Sequence, residues 1–429
     1  MSACDIIASR LEALRPQLEK TPGLWEMFRK CFLNTIETTV QIGEGDTFVI
    51  TGDIPAMWLR DSTAQVLHYL RFADDAQVAS MIEGLLSRQA DCILRDPYAN
   101  AFNREENDFK PFDDVPPAND WVWERKYEID SLCYPLWLAD KYMAKTGSTA
   151  FITEKFLKTV ETVLDLFRTE QNHFQSPYRF QRLSECAPSD TLPWDGMGNP
   201  VSYTGMTWSG FRPSDDACQY GYLVASNLFA VRVMDAACRI GQKAGREDLV
   251  EKARQLKETI SEGVKEYGTM EHPRFGTVYA YETDGYGNYN LMDDANVPSL
   301  MSLPYLEVCD ASDPIYRSTR ALVLSDSNPY YYEGTCAKGI GSPHTPKGYI
   351  WPIALCVQAM TSTDDAEIAS LLKMLLTTHA GTGFMHEGFD PNAPENFTRD
   401  WFAWANSMFG ELIFRLHEQG KLEKLLEKL

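Results

Sequence analysis

Positive charge is what this chain has least of: 40 Lys and Arg stand against 61 Asp and Glu over 429 residues, a formal net charge of −21. Phosphate backbones and anionic lipid surfaces would be repelled. A nucleic-acid or membrane partner is therefore excluded, and a neutral or cationic ligand fits better. No run approaches the ~18 apolar residues of a membrane span. The start, Met1-Ser-Ala-Cys-Asp-Ile, lacks a basic stretch followed by an apolar one, and the expectation is a cytoplasmic protein with no N-terminal export signal. Ten cysteines are scattered without a C-x-x-C pair, which reads as free thiols in a reducing compartment. None of the seven histidines stands in H-x-x-x-H or H-E-x-x-H spacing, so no metal and no cofactor is expected. Gly-rich phosphate loops and the G-x-S-x-G elbow are missing, which removes nucleotide and nucleophile-elbow readings.

What is present is helical periodicity. Leu24, Met27, Phe28, Cys31, Phe32 and Ile36 recur at three and four residues, laying one apolar stripe on a helix. The same spacing links Ile129, Leu132, Cys133, Leu136 and Ala139, then Val224, Leu228, Val231, Met234 and Cys238, then Trp404, Met408, Leu412 and Leu416. Strand-like stretches are short: 47–51 and 277–281. No stretch rich in Pro, Gly or Ser divides the chain, which reads as a single domain, 1–429. Polar, aromatic-rich loops fall near 52–62, 107–127, 184–216, 284–305, 326–351 and 381–401. Six such loops predict an all-α fold, an (α/α)6 barrel of six helical hairpins, each giving one loop to a central pocket.

The loops have one composition, carboxylates among aromatic rings with amide or guanidinium donors beside them. Rings pack on the C–H faces of a pyranose, donors bind its hydroxyls, and a carboxylate can move a proton. Glu387 lies in Gly381-Thr-Gly-Phe-Met-His-Glu-Gly-Phe-Asp390, with Asn396, Arg399, Trp401 and Trp404 close behind. Trp58, Arg60 and Asp61 precede a helix, where Asp61 also reads as an N-cap. Glu124 stands between Trp123 and Arg125, whereas Glu128 reads equally as a surface ion pair. Asp215 and Asp216 follow Trp208 and Phe211 and precede a helix near Gln219; one is expected to cap while the other faces the cavity. His344, Tyr349 and Trp351 offer platform and hydroxyl partners. Asp293, Asp294 and Asn296 carry oxygens, but with no D-x-D-x-D-G loop they read as hydrogen-bonding groups ahead of Ca²⁺ ligands.

With the segments 53–62 (DIPAMWLRDS), 209–217 (SGFRPSDDA), 293–299 (DDANVPS), 327–331 (SNPYY) and 385–389 (MHEGF), the chain resembles bacterial members of glycoside hydrolase family 125, the exo-α-1,6-mannosidases. The resemblance implies an (α/α)6 barrel, an α-mannoside oligosaccharide as substrate, inversion at the anomeric carbon and no required metal. It also implies an acid from Asp215-Asp216, with Asp215 the choice, Glu387 as base, and Arg60, Asp61 and Glu124 as sugar-binding positions. Two other classes fit the same composition. A sugar epimerase of this architecture would use two basic groups, for which His344 and His386 are the candidates. A non-catalytic glycan-binding toroid would need neither Asp215 nor Glu387.

Overall fold

The computed structural model describes residues 1–428 and is helix-rich. Its longer helices are α1 (Ala3–Leu11), α2 (Leu24–Thr38), α3 (Leu59–Val66), α4 (Ala76–Arg95), α5 (Ile129–Thr146), α6 (Glu154–Glu170), α7 (Val224–Ala244), α8 (Glu247–Tyr267), α9 (Pro314–Val323), α10 (Pro352–Met360), α11 (Asp365–Thr377) and α12 (Ala403–Glu418).

Two tiers follow from burial. All eight residues of α3 and twelve of sixteen in α12 are buried, against seven of twenty-one in the amphipathic α8. A helix buried on all sides lies inside, and one with a polar face lies at the rim. The inner contacts run α7–α5–α3–α12–α10, and outside them α8 packs on α7, α4 on α5, α2 on α12 and α11 on α10. Between α7 and α10 the inner position is taken by turns, residues 299–308, and there Tyr305 donates to Glu411 on α12 at 3.0 Å.

The α2 stripe is buried as its spacing predicts. On α7 the expectation was too narrow: Leu228, Val231 and Cys238 are only half-buried, while Phe229, Ala230, Val233 and Ala237 are fully buried. A helix packed between two neighbours has two apolar flanks, and one stripe cannot describe it. The expected strands are Asp46–Val49, paired with Val40–Gly43, and Gly276–Tyr279, paired with Thr269–His272.

One close approach joins the chain's early and late parts. Gly52 has φ 131° and bridges to Phe402; a Cβ there would stand 2.6 Å from the Trp401 carbonyl oxygen. Only glycine fits both the backbone angle and the space.

Candidate active site

A cavity opens where the inner helices begin. Its wall draws on five of the six expected loops: Trp58, Arg60 and Asp61, then Asp215, then Asn296, then His344 and Trp351, then Glu387 and Arg399. Phe402 and Trp404 complete the aromatic side. The loop at 107–127 contributes no lining residue among those described.

Asp61 is not an N-cap. Helix α3 starts at Leu59, so Asp61 sits inside its first turn with its carboxylate 3.5 Å from the Arg60 guanidinium. Burial raises its pKa to about 6, against the pull of Arg60 and with the push of Asp215.

The cap expected at Asp215 or Asp216 is likewise not formed. Helix α7 begins only at Val224 with Leu223 at its N-cap, so residues 211–217 are free to make a tight turn closed by the Phe211–Ala217 bridge. Asp215 occupies the tip of that turn with φ 65°, a left-handed geometry that Asp tolerates better than most residues. Lys126 Nζ donates to the Asp215 carbonyl oxygen at 2.8 Å and fixes the turn. The Asp215 side chain accepts from Arg60 Nη2 at 3.1 Å and from Asn100 Nδ2 at 3.3 Å. Burial pushes its pKa up, but Arg60, a hydrogen bond to Glu128, Lys126 and His344 together hold it below the usual carboxylate range. Asp216 points elsewhere: its Oδ1 meets His344 Nδ1 at 3.3 Å and its Oδ2 accepts from Ser214 at 3.4 Å. Burial opposes charge on His344, yet Asp216, with Glu387 and Asp215 behind it, raises the ring to about 9.

Opposite in sequence, Glu387 precedes the strand Gly388–Asp390, which pairs with Ala393–Thr398. The Glu387 N–H donates to the Thr398 carbonyl at 3.3 Å, and Arg399 Nη1 stands 3.6 Å from Glu387 Oε1. Arg399 is itself held by Asp53, whose oxygens accept from Nε at 3.0 and 3.1 Å. The cavity wall thus carries Glu387 beside Arg399 and Asp215 beside Arg60.

The remaining expected positions lie outside the wall. Glu124 is buried in an ion cluster with Arg182 at 3.0 Å and Lys126 at 3.5 Å. Tyr349 is half-buried in its loop, and Asn396 is exposed on the Ala393–Thr398 strand. Asp293 accepts the backbone N–H groups of Leu300 and Met301 at 2.8 and 2.9 Å, a structural task. His386, one half of an epimerase pair, faces away: Nδ1 meets the Arg399 carbonyl at 3.0 Å, and the ring stacks on Phe397 at 3.6 Å.

Sequence reasoning missed Glu128. It is no surface residue: 1% exposed, it accepts from Arg60 Nη1 at 2.6 Å and from Ser131 Oγ at 2.7 Å. Its position one residue before the buried stripe of α5 was the available signal.

Among the described residues no group of three or more His, Cys, Asp or Glu is placed to hold a metal ion, and no helix is long and apolar enough to cross a membrane. The family described as metal-independent alpha-mannosidase (GH125) matches residues 21–414. The chain belongs to glycoside hydrolase family 125. Two further likenesses agree with that membership. A metal-independent α-mannosidase of Streptococcus pneumoniae, solved in a non-productive substrate complex with α-1,6-mannobiose, is 45% identical with TM-score 0.93; the match covers 99% of this chain and 98% of that one. The meiotically up-regulated gene 157 protein of Schizosaccharomyces pombe is 40% identical over 96% of this chain and 86% of that protein. A bacterial glucoamylase solved with acarbose shares the fold at TM-score 0.60 and 14% identity, over 94% of this chain and 57% of its own. This family-125 chain is therefore a glycoside hydrolase acting on α-mannosides without a metal.

Proposed function

We propose that the chain is an inverting exo-α-1,6-mannosidase, removing terminal mannose from α-1,6-linked oligosaccharides with Asp215 as general acid and Glu387 as general base. The observation that carries this is one cavity presenting two carboxyls, each beside its own arginine, from chain segments far apart in sequence. The linkage is supported by the α-1,6-mannobiose bound to the 45% identical Streptococcus pneumoniae enzyme.

Asp215 protonates the glycosidic oxygen as the C1–O bond breaks, and Glu387 takes a proton from a water attacking the opposite face. That water must fit between base and anomeric carbon, so the two carboxyls stand roughly 6.5–9.5 Å apart in an inverting enzyme. The Asp61 and Glu387 carboxylates at the wall favour the oxocarbenium-like transition state. Trp58, Trp351, Phe402 and Trp404 offer faces to the sugar ring, while Arg399, Asp61, Asn296 and His344 offer hydroxyl partners. The inner helix contacts support closure into an (α/α)6 barrel forming one catalytic domain, 1–429. Ten unpaired cysteines support a reducing, cytoplasmic setting.

The test is proton NMR during digestion of α-1,6-mannobiose. The expectation is β-mannose as the first monosaccharide product. α-Mannose appearing first would make the enzyme retaining. No cleavage would favour a binding module.

A further inference from the structure

We infer that Glu128 holds the proton that Asp215 delivers to the glycosidic oxygen, the two carboxyls acting as a one-proton pair behind the cavity wall. The inference rests on Asp215 being the acid and adds a residue that the substrate never touches.

Glu128 lies where α5 begins, yet its side chain caps nothing there. Instead its Oε2 meets Arg60 and Ser131, while its Oε1 accepts from Asn100 Nδ2 at 3.4 Å. That same amide nitrogen reaches Asp215 Oδ1 at 3.3 Å, and the Arg60 guanidinium spans both carboxyls, at 2.6 Å and 3.1 Å. Arg60 and Asn100 thus bridge Glu128 and Asp215 and draw the two carboxyls side by side. Two carboxyls held side by side on shared donors resist both being ionised, because like charges repel, and one proton between them relieves the repulsion.

The local charge leads to the same place. Arg60 faces Asp61, Glu128, Asp130 and Asp215, four carboxylates around one guanidinium. Lys126 spends its ammonium on Asp190 and Glu124 and touches Asp215 through the backbone carbonyl. His344 lies on the far side with Asp216, and the neighbouring Cys218 is a thiol whose pKa burial raises. Within the pair, Glu128 is the better proton holder. Burial drives it well above the usual carboxylate range, with Asp215 and Asp130 adding to the push and Arg60 opposing it. Asp215, facing the cations, rests as the carboxylate.

The step balances. Glu128–COOH and Asp215–COO⁻ become Glu128–COO⁻ and Asp215–COOH. Asp215 then protonates the leaving oxygen, which keeps the electron pair of the C1–O bond. The alcohol departs with the proton, and the pair, left with two adjacent negative charges, recovers one proton from water. The arrangement lets an acid surrounded by cations work at neutral pH, since removing the last proton from two adjacent carboxyls is costly. Glu128 is thus a positioning residue for the proton, not a group in contact with sugar.

The test compares pH profiles of kcat/KM on α-1,6-mannobiose and on an activated aryl α-mannoside for wild type, Glu128→Gln and Asp215→Asn. Gln keeps the shape and the hydrogen bonds but cannot hold the proton. The basic limb for mannobiose should move at least one pH unit lower in Glu128→Gln, with a loss of at least tenfold at pH 7, partial recovery on acidification, and little change on the aryl substrate. A loss equal at every pH, or no loss, overturns the inference. If Asp215→Asn were also insensitive to the leaving group, the acid assignment itself would fall, a distinguishable result. Should Glu128→Gln fold poorly, ¹³C-glutamate labelling of the wild type decides. The expected infrared signature is a protonated glutamate carboxyl at neutral pH, and its absence refutes the pair.

Discussion

Replacing Asp215 and Asp216 separately by Asn divides two adjacent carboxylates that face different ways. Asp215 lines the cavity beside Arg60, whereas Asp216 is engaged by His344 and Ser214. General-acid assistance is worth about 10²–10⁴-fold and matters most when the leaving group is poor. Asp215→Asn should therefore cost about 10³-fold in kcat/KM on α-1,6-mannobiose and no more than about tenfold on an aryl or fluoride mannoside. Asp216→Asn removes a pairing to a ring whose side chain is 37% exposed, and solvent screening holds such a pair to about 1 kcal/mol, roughly fivefold, on both substrates. That pairing raises His344 from 6.5 to about 9, so its stability is fully present below pH 6.5 and is lost as pH rises toward 9. In Asp216→Asn this part of the pH dependence of Tm should flatten. The assays are kcat/KM for both variants on both substrates and Tm against pH. Leaving-group sensitivity found in Asp216→Asn and missing in Asp215→Asn would reverse the assignment, and equal losses everywhere would exclude both residues as the acid.

Glu387→Gln should lower kcat by about 10²–10⁴-fold while binding of mannobiose persists in calorimetry, because Gln keeps the shape but cannot accept a proton from water; near-native kcat would remove Glu387 as base. Asp61→Asn should raise stability at pH 7 by up to about 3 kcal/mol, since burial raises the Asp61 carboxyl from 3.8 to about 6 and each unit is worth about 1.4 kcal/mol. The sign follows from linkage: a raised carboxylate loses stability as pH climbs from 3.8 to 6, so the gain should vanish below pH 4, while kcat/KM falls at all pH values. A lower Tm at pH 7 would contradict the burial argument. Exhaustive EDTA treatment should leave activity unchanged, with loss and rescue by Ca²⁺ the contrary result.

The long helices and the hairpins were legible in the sequence because their apolar spacing is local. Eight of the twelve positions singled out for the site line the cavity, for the related reason that sugar-binding chemistry concentrates aromatics and carboxylates in the same loops. The misses share a different cause. Glu124 and Glu128 carry the composition of a sugar site, but which one lies beside Asp215 depends on Arg60 and Asn100, from segments far away in the chain. The divergence of Asp215 and Asp216 was expected, but with one at a helix cap; that Asp216 meets His344 instead is set by a left-handed backbone angle in a turn, which sequence does not show. His386 looked reactive beside Glu387, yet the hairpin turns its ring onto Phe397.

The clasp between early and late segments has a consequence for how the protein comes into being. Helix α12 lies against α2 and α3, His417 pairs with Gln17 at 2.7 Å, Lys20 pairs with Glu423, and Gly52 nests against Trp401. Arg60 and Asp61 thus leave a ribosome long before Glu387. The pocket cannot close before Glu387 and α12 have been made, and contacts between segments so far apart in sequence slow folding. The early helices wait with α2 and α3 uncovered, the apolar surface that chaperones bind. The same adjacency makes the molecule a candidate for rewiring: with its ends tethered and new ends opened at the exposed Tyr286 loop, the order of synthesis would change while the pocket stayed the same.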